Sequence, residues 1–424
     1  MINFKKFTLN NGLRVIVHSD TSVPTVVVNV LYDVGSRDEH PEKTGFAHLF
    51  EHLMFGGSKN IKVYDEPLQI AGGENNAFTT PDFTNYYCQL PAENIETAFW
   101  LESDRMLSLA FSKKSLEVQR KVVCEEFKEH YINKPYGNVS QELRSMAYKK
   151  HPYQWLTIGK NLKHIEDATL DDVKGFFKKF YNPSNAILVV AGNVTVGQVK
   201  ELAEKWFGDI EKGINNKHRY IKEPAQKSAR RKTMYADVPL DAFYKCWHIF
   251  PRSDERYYIT DLITEIFSGG ASSRLFQKLV KEKKLFSSID CYHSGSMGPG
   301  LLTIEGKLVT GIKINDAEEA VMEEIRNFLK SGITKKELEK VKNKTESAMA
   351  FEDMSMTNRA ASLAIYELIG DVNLINTELK KYKKITTKQI LETGKEIFRE
   401  ENSSTLYYLS SNIHKDEQKD SATN

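Results

Sequence analysis

At 424 residues the chain is too long for one ordinary hydrophobic core and suits two domains of about 200 residues each. Its 40% hydrophobic and 27% charged residues are the composition of a soluble globular protein. The 59 basic and 57 acidic side chains nearly cancel, so no nucleic acid or membrane partner is demanded, and no apolar run reaches transmembrane length.

The amino-terminal stretch MINFKKFTLNNGLRVIV lacks the apolar centre of a signal peptide. Asn11-Gly12, set between two alternating segments, predicts a tight hairpin. Four cysteines (Cys88, Cys124, Cys246 and Cys291) are widely spaced without a C-x-x-C pair, which predicts reduced thiols rather than disulfides or zinc ligands. Together these features place the chain in the cytoplasm, the alternative being a targeting segment already removed.

A strand-like run, VPTVVVNVLYDVGSRDE (23–39), leads into the most informative segment, His48-Leu49-Phe50-Glu51-His52. On a helix, positions i and i+4 share a face, so His48 and His52 offer two imidazoles to one metal ion. Glu51 lies on nearly the same face, within reach of a water on that metal. The order is the reverse of H-E-x-x-H, with two neutral nitrogens for Zn²⁺ and a carboxylate held off the metal as general base. Thr44 is the expected N-cap, Phe46, Leu49, Phe50 and Leu53 supply apolar positions, and Gly56-Gly57 supplies the stop. The plain alternative is two histidines on a helix by accident. A short buried helix argues against it, because an unliganded His-Glu-His cluster is costly to desolvate.

A third protein ligand is needed, and the helix-forming segment SLEVQRKVVCEEFKEH (115–130) is the best source. At helical periodicity Glu126 shares a face with Gln119, Val122 and Val123, while Glu125 points away. Glu129 lies within one turn of Glu126 on nearly the same side, so periodicity leaves both open. An ordinary solvated surface is the usual fate of such carboxylates.

The chain carries a weak internal repeat. The segment DAFYKCWHIFPRSDE (241–255) leads into YYITDLITEIF and Gly269-Gly270, as 23–39 leads into the motif and Gly56-Gly57. KKSLEVQRK (113–121) has its counterpart in KKELEKVKN (335–343). These patterns predict an α+β fold of two similar domains, each a mostly antiparallel sheet with helices packed on it. The expected boundaries are 1–210 for the motif-bearing domain, 211–232 for a polar, basic linker, 233–410 for the second repeat and 411–424 for a disordered tail. Aligned on the glycine stops, His48, Glu51 and His52 fall opposite Asp261, Thr264 and Glu265. Aligned on the lysine pairs, Glu126 falls opposite Ala348, so only the first half has the residues for zinc.

Four segments carry a family resemblance: GFAHLFEHLMFGGS (45–58), AGGENNAFTTPDFTNYY (71–87), Arg120 to Glu126, and NPSNAILVVAGNVT (182–195). With them the sequence resembles the pitrilysin/insulinase-type inverted zinc peptidases, in the half-length branch of mitochondrial and bacterial processing peptidases. The resemblance implies a third ligand in a V-x-x-E pattern, which Val123-Cys124-Glu125-Glu126 matches, and so selects Glu126 over Glu129. It implies one Zn²⁺ per chain, with Glu51 as general base in the hydrolysis of peptides or unfolded segments. Relatives often have a Glu where this chain has Gln119, whose amide can still serve as a hydrogen-bonding support behind the ligand.

In the family the substrate joins the edge of the first sheet as an added strand, which points to Asn75, Asn76, Ala77, Phe78 and Thr79. An ordinary turn after Gly72-Gly73 is the competing reading of Asn75-Asn76. Relatives that bind substrate through the second half carry an Arg and a Tyr, where this chain has Val280 and Ser287. Val donates no hydrogen bond and Ser is too short to replace Tyr, although Arg274 and Tyr292 lie nearby. The expected assembly is therefore a heterodimer with a paralogous subunit that supplies the Arg/Tyr pair. The alternatives are a homodimer, and a non-catalytic scaffold subunit that only resembles the peptidases.

Overall fold

The computed structural model describes residues 1–213 and 221–414, so the middle of the expected linker and most of the expected tail lie outside the described residues. The chain divides into two compact units, each built on one sheet. The first sheet contains β1 (Lys5–Thr8), β2 (Arg14–Ser19), β3 (Thr25–Tyr32), β4 (Glu74–Thr79), β5 (Thr84–Pro91) and β6 (Ala186–Gly192), in the order β1-β2-β6-β3-β5-β4. The second contains β7 (Arg230–Ala236), β8 (Ala242–His248), β9 (Phe286–His293), β10 (Leu301–Leu308) and β11 (Ser403–Ser410), in the order β7-β11-β8-β10-β9.

Set β7 against β2 and the two sheets have one topology. The pairs β2/β6 and β7/β11 are parallel, and every other pairing is antiparallel. The α+β repeat expected from the sequence is present. β1 is an addition to the first sheet, joined to β2 through the Asn11-Gly12 turn. Gly12 takes φ +91°, and the Asn11 side-chain amide donates to the carbonyls of Phe207 and Ile210 at 2.7 and 3.1 Å.

The units are not the contiguous blocks 1–210 and 233–410. Residues 130–154 belong with the second unit and residues 349–378 with the first. β3 is buried along nearly its whole length, so the first sheet needs cover on both faces. One face is covered by the helix Met356–Ile369, which packs on β3 and β6 with Ala360, Leu363 and Ala364 fully buried. It is pinned by Arg359 donating to Asp20 at 2.7 Å and by Lys6 donating to Glu367 at 2.6 Å. In the second unit the helix Val139–Ala147 packs on β8 and β11 in the same way. Local periodicity can announce such a helix but not the sheet it will cover, and for this reason the expected boundaries differ from the observed ones. The linker also ends early, because β7 begins at Arg230 where its backbone pairs with β11.

No helix among the described residues is long and apolar enough to cross a membrane. All four cysteines are free and buried.

Candidate metal centre

The motif occupies a helix from Phe46 to Leu53. Its inner face is the apolar set Phe46, Ala47, Leu49, Phe50 and Leu53, all buried. Phe50 stacks on Phe176 and Tyr181, both at 5.0 Å between ring centroids, which fixes the rotation of the helix about its axis. With that face inward, His48, Glu51 and His52 turn to the other side.

The helix start differs from expectation. Gly45, not Thr44, is the N-cap residue, with φ +89° and the Ile158 carbonyl where a Cβ would stand. The capping acceptor is the buried carboxylate of Glu39, which takes the backbone N–H groups of Gly45 and Ala47 at 2.9 and 2.8 Å. Burial pushes the Glu39 carboxyl well above its usual range, against the pull of those two N–H groups. The Thr44 hydroxyl meets His164 Nδ1 at 2.9 Å and accepts from the Lys160 N–H at 3.0 Å instead. Sequence reading missed Glu39, which precedes the helix by a loop and carries no periodic signal.

The second contributor is the helix Lys113–Phe127, capped by Ser112 accepting from the Ser115 N–H at 3.0 Å. Leu116, Val123, Cys124 and Phe127 are buried, and this rotation carries Glu126 to the two histidines. His48 Nε2 lies 3.6 Å from Glu126 Oε1, and His52 Nε2 lies 3.4 Å from Oε2. Two donors each 2.0–2.1 Å from one tetrahedral ion are about 3.4 Å apart, so this spacing fits zinc. It is the one group of three metal-capable side chains that converges in this way among the described residues. The side chains of His48, His52 and Glu126 keep 13%, 25% and 33% of their exposure, so the donor set opens toward solvent. Burial pushes the His48 imidazole well below its usual range, which leaves a neutral ring with a lone pair for a metal.

The other candidates fall elsewhere. Glu125 is exposed and pairs with Lys128 at 2.7 Å. Glu129 is exposed in a π-helical turn, Lys128–Ile132. Gln119 is half-buried on the Glu126 helix, and no side-chain hydrogen bond joins it to Glu126 or to either histidine among the described residues. Glu51 is half-buried beside the donor set. Burial raises its carboxyl above the usual range, while the Thr79 hydroxyl, donating to Oε2 at 2.6 Å, pulls it back. Asn75, Asn76, Ala77 and Phe78 lie in β4, the outermost strand of the first sheet, and not in a turn.

In the second unit the matching helix is Arg256–Ser268. Asp261 faces His293 Nε2 at 3.1 Å and accepts from the Tyr382 hydroxyl at 2.8 Å, and Glu265 pairs with Lys344 at 2.6 Å. These carboxylates are occupied by cations and hydroxyls of their own unit. Val280 lies in a π-helical turn, and the Ser287 hydroxyl donates to the Lys307 carbonyl at 3.1 Å. Arg274 is committed to Glu337 through two contacts of 2.8 Å, and the Tyr292 hydroxyl donates to Glu305 at 2.9 Å.

Such a donor set on such a fold defines a zinc-protease-like chain. Residues 14–160 match the family model described as insulinase (peptidase family M16), and residues 167–345 match that described as the peptidase M16 inactive domain. The chain belongs to peptidase family M16. Zinc protease PqqE of Helicobacter pylori is 28% identical over 408 residues, 94% of this chain and 91% of that one. A crystal structure of a protease from Helicobacter pylori superposes with a TM-score of 0.90 at 27% identity, covering 96% of this chain and all of the other. The probable mitochondrial-processing peptidase subunit beta of Arabidopsis thaliana is 28% identical over 240 residues, 56% of this chain and 45% of that one.

Proposed function

We propose that the protein is a zinc-dependent endopeptidase subunit that hydrolyses peptides or unfolded polypeptide segments. One observation carries the reading. Two imidazoles and a carboxylate converge at ion-ligand spacing, with a second carboxylate, Glu51, beside them on the same helix.

In this reading His48, His52 and Glu126 hold one Zn²⁺. When bound, the zinc lowers the pKa of a water toward about 7 and polarises the scissile carbonyl. Glu51 takes the proton from the attacking water and returns it to the leaving amine. Burial raises the Glu51 carboxyl above its usual range, the direction that makes it a better proton acceptor. The peptide lies extended along the outer side of β4, beside Asn75 to Phe78, with its backbone paired to the strand.

Val280 and Ser287 provide no substitute for an Arg/Tyr substrate clamp, and Arg274 is held by Glu337. The working enzyme is therefore a heterodimer with a paralogous subunit that carries the clamp. The similarity to a mitochondrial-processing peptidase subunit supports pairing of this kind. Four unbridged, buried cysteines suit a reducing compartment such as the cytoplasm.

The test is metal analysis of the purified chain together with cleavage of an unstructured fluorogenic peptide, with and without a chelator. Stoichiometric zinc and chelator-sensitive cleavage are expected. Zinc without cleavage, alone or with a paralogue, would instead indicate a scaffold subunit.

A further inference from the structure

We propose that Thr79 is a positioning residue that links docking of a peptide on β4 to alignment of the Glu51 carboxylate. The inference rests on the reading above, in which Glu51 is the base and β4 receives the peptide. Its own observation is the meeting of Thr79 with Glu51, to which both the hydroxyl and the backbone N–H of Thr79 contribute. The Thr79 hydroxyl donates to Glu51 Oε2 at 2.6 Å, across from an edge strand to the motif helix.

The geometry makes this contact directional. β4 pairs with β5 on one side, in the register Ala77 to Tyr86 and Thr79 to Thr84, and ends the sheet on the other. Exposure alternates along it, so Asn75, Ala77 and Thr79 share the less exposed face while Asn76 and Phe78 point to the other. β4 packs against the motif helix. Asn75 donates to Asp65 at 2.7 Å, so both ends of this face are tied to neighbouring helices.

The helix fixes only the Cα of Glu51. Three side-chain torsions remain, and a base that must meet one water needs the last of them set. Thr79 sets it by holding Oε2 through its hydroxyl, which fixes the plane of the carboxylate. A threonine suits the task, because its branched Cβ restricts χ1 in a strand and the hydroxyl direction follows the backbone. An extended peptide paired along the open side of β4 orders that backbone. Ordering of the strand therefore reaches the base through Thr79, whose backbone N–H moves with the strand and whose hydroxyl holds Oε2.

The test uses the full-length zinc-loaded chain, with its paralogue where turnover requires one, and an unstructured fluorogenic peptide. Thr79→Val keeps the shape and removes the hydroxyl, whereas Thr79→Ser keeps the hydroxyl. Loss of a hydrogen bond to a charged group predicts a fall in kcat of roughly 10- to 100-fold for Thr79→Val, with KM and zinc content unchanged. Thr79→Ser should recover most of kcat. Peptide Kd, measured in Glu51→Gln chains that do not turn over, should be the same with and without Thr79→Val. An unchanged kcat in Thr79→Val, an effect confined to KM, loss of zinc, or no recovery with Thr79→Ser would each overturn the proposal. Turnover that survives Glu51→Gln would instead overturn the function on which it rests.

Discussion

The carboxylate of Glu39 accepts the backbone N–H of Ala47 at 2.8 Å, immediately ahead of His48. The same side chain takes the N–H of Gly45, so one buried acid satisfies two of the donors that the start of the motif helix leaves open. An acceptor for these N–H groups is stabilising whether or not the acid is charged, and here it also fixes the direction from which the first histidine emerges.

Glu39→Ala should lower unfolding stability by about 1–3 kcal/mol, the range for a lost cap that leaves buried N–H groups unpaired. Glu39→Gln retains one acceptor and should cost less. Denaturant unfolding of the three chains at one pH checks both. Zinc affinity should weaken in the same order, because the helix carries two of the three donors. Stability equal to wild type in Glu39→Ala would mean that the cap is energetically idle.

Glu51→Gln should abolish peptide cleavage while zinc remains at one ion per chain. The amide keeps the volume and the Thr79 hydrogen bond but cannot accept the proton, and removal of a general base typically costs about 10²–10⁴ in rate. Metal content and turnover measured on the same preparation decide it. A drop in bound zinc would make Glu51 a ligand rather than a base.

Removal of the third donor should act on the metal first. Glu126→Gln should strip zinc from the chain at chelator concentrations that leave wild type loaded. Glu125→Gln and Glu129→Gln should behave as wild type, since Glu125 is held by Lys128 and Glu129 is exposed beyond the helix end. Zinc loss with Glu129→Gln alone would transfer the third ligand to the following turn.

The purified chain should be a poor peptidase alone and should gain turnover when a paralogue with an intact Arg/Tyr pair is added. Restoring the pair in this chain, by Val280→Arg with Ser287→Tyr, should raise the activity of the chain by itself. Full turnover by the lone wild-type chain, with no gain from any paralogue, would establish the homodimer as sufficient.

Much of this protein is decided by local sequence. Two histidines spaced i and i+4 must share a helix face, and Asn11-Gly12 must turn, because both follow from backbone geometry over a few residues. The repeat is legible for the same reason, since strand, helix and glycine stop each leave a local pattern. Periodicity could not choose between Glu126 and Glu129, which differ by less than one helical turn. The burial of Val123, Cys124 and Phe127 rotates the helix so that Glu126 meets the histidines. The cap from Glu39, the Thr79 hydroxyl on Glu51 and the helix Met356–Ile369 on the first sheet were likewise set by folding alone. Each joins segments separated in sequence, and the energy that pairs them comes from burial and hydrogen bonds that exist only once the chain has closed around its core.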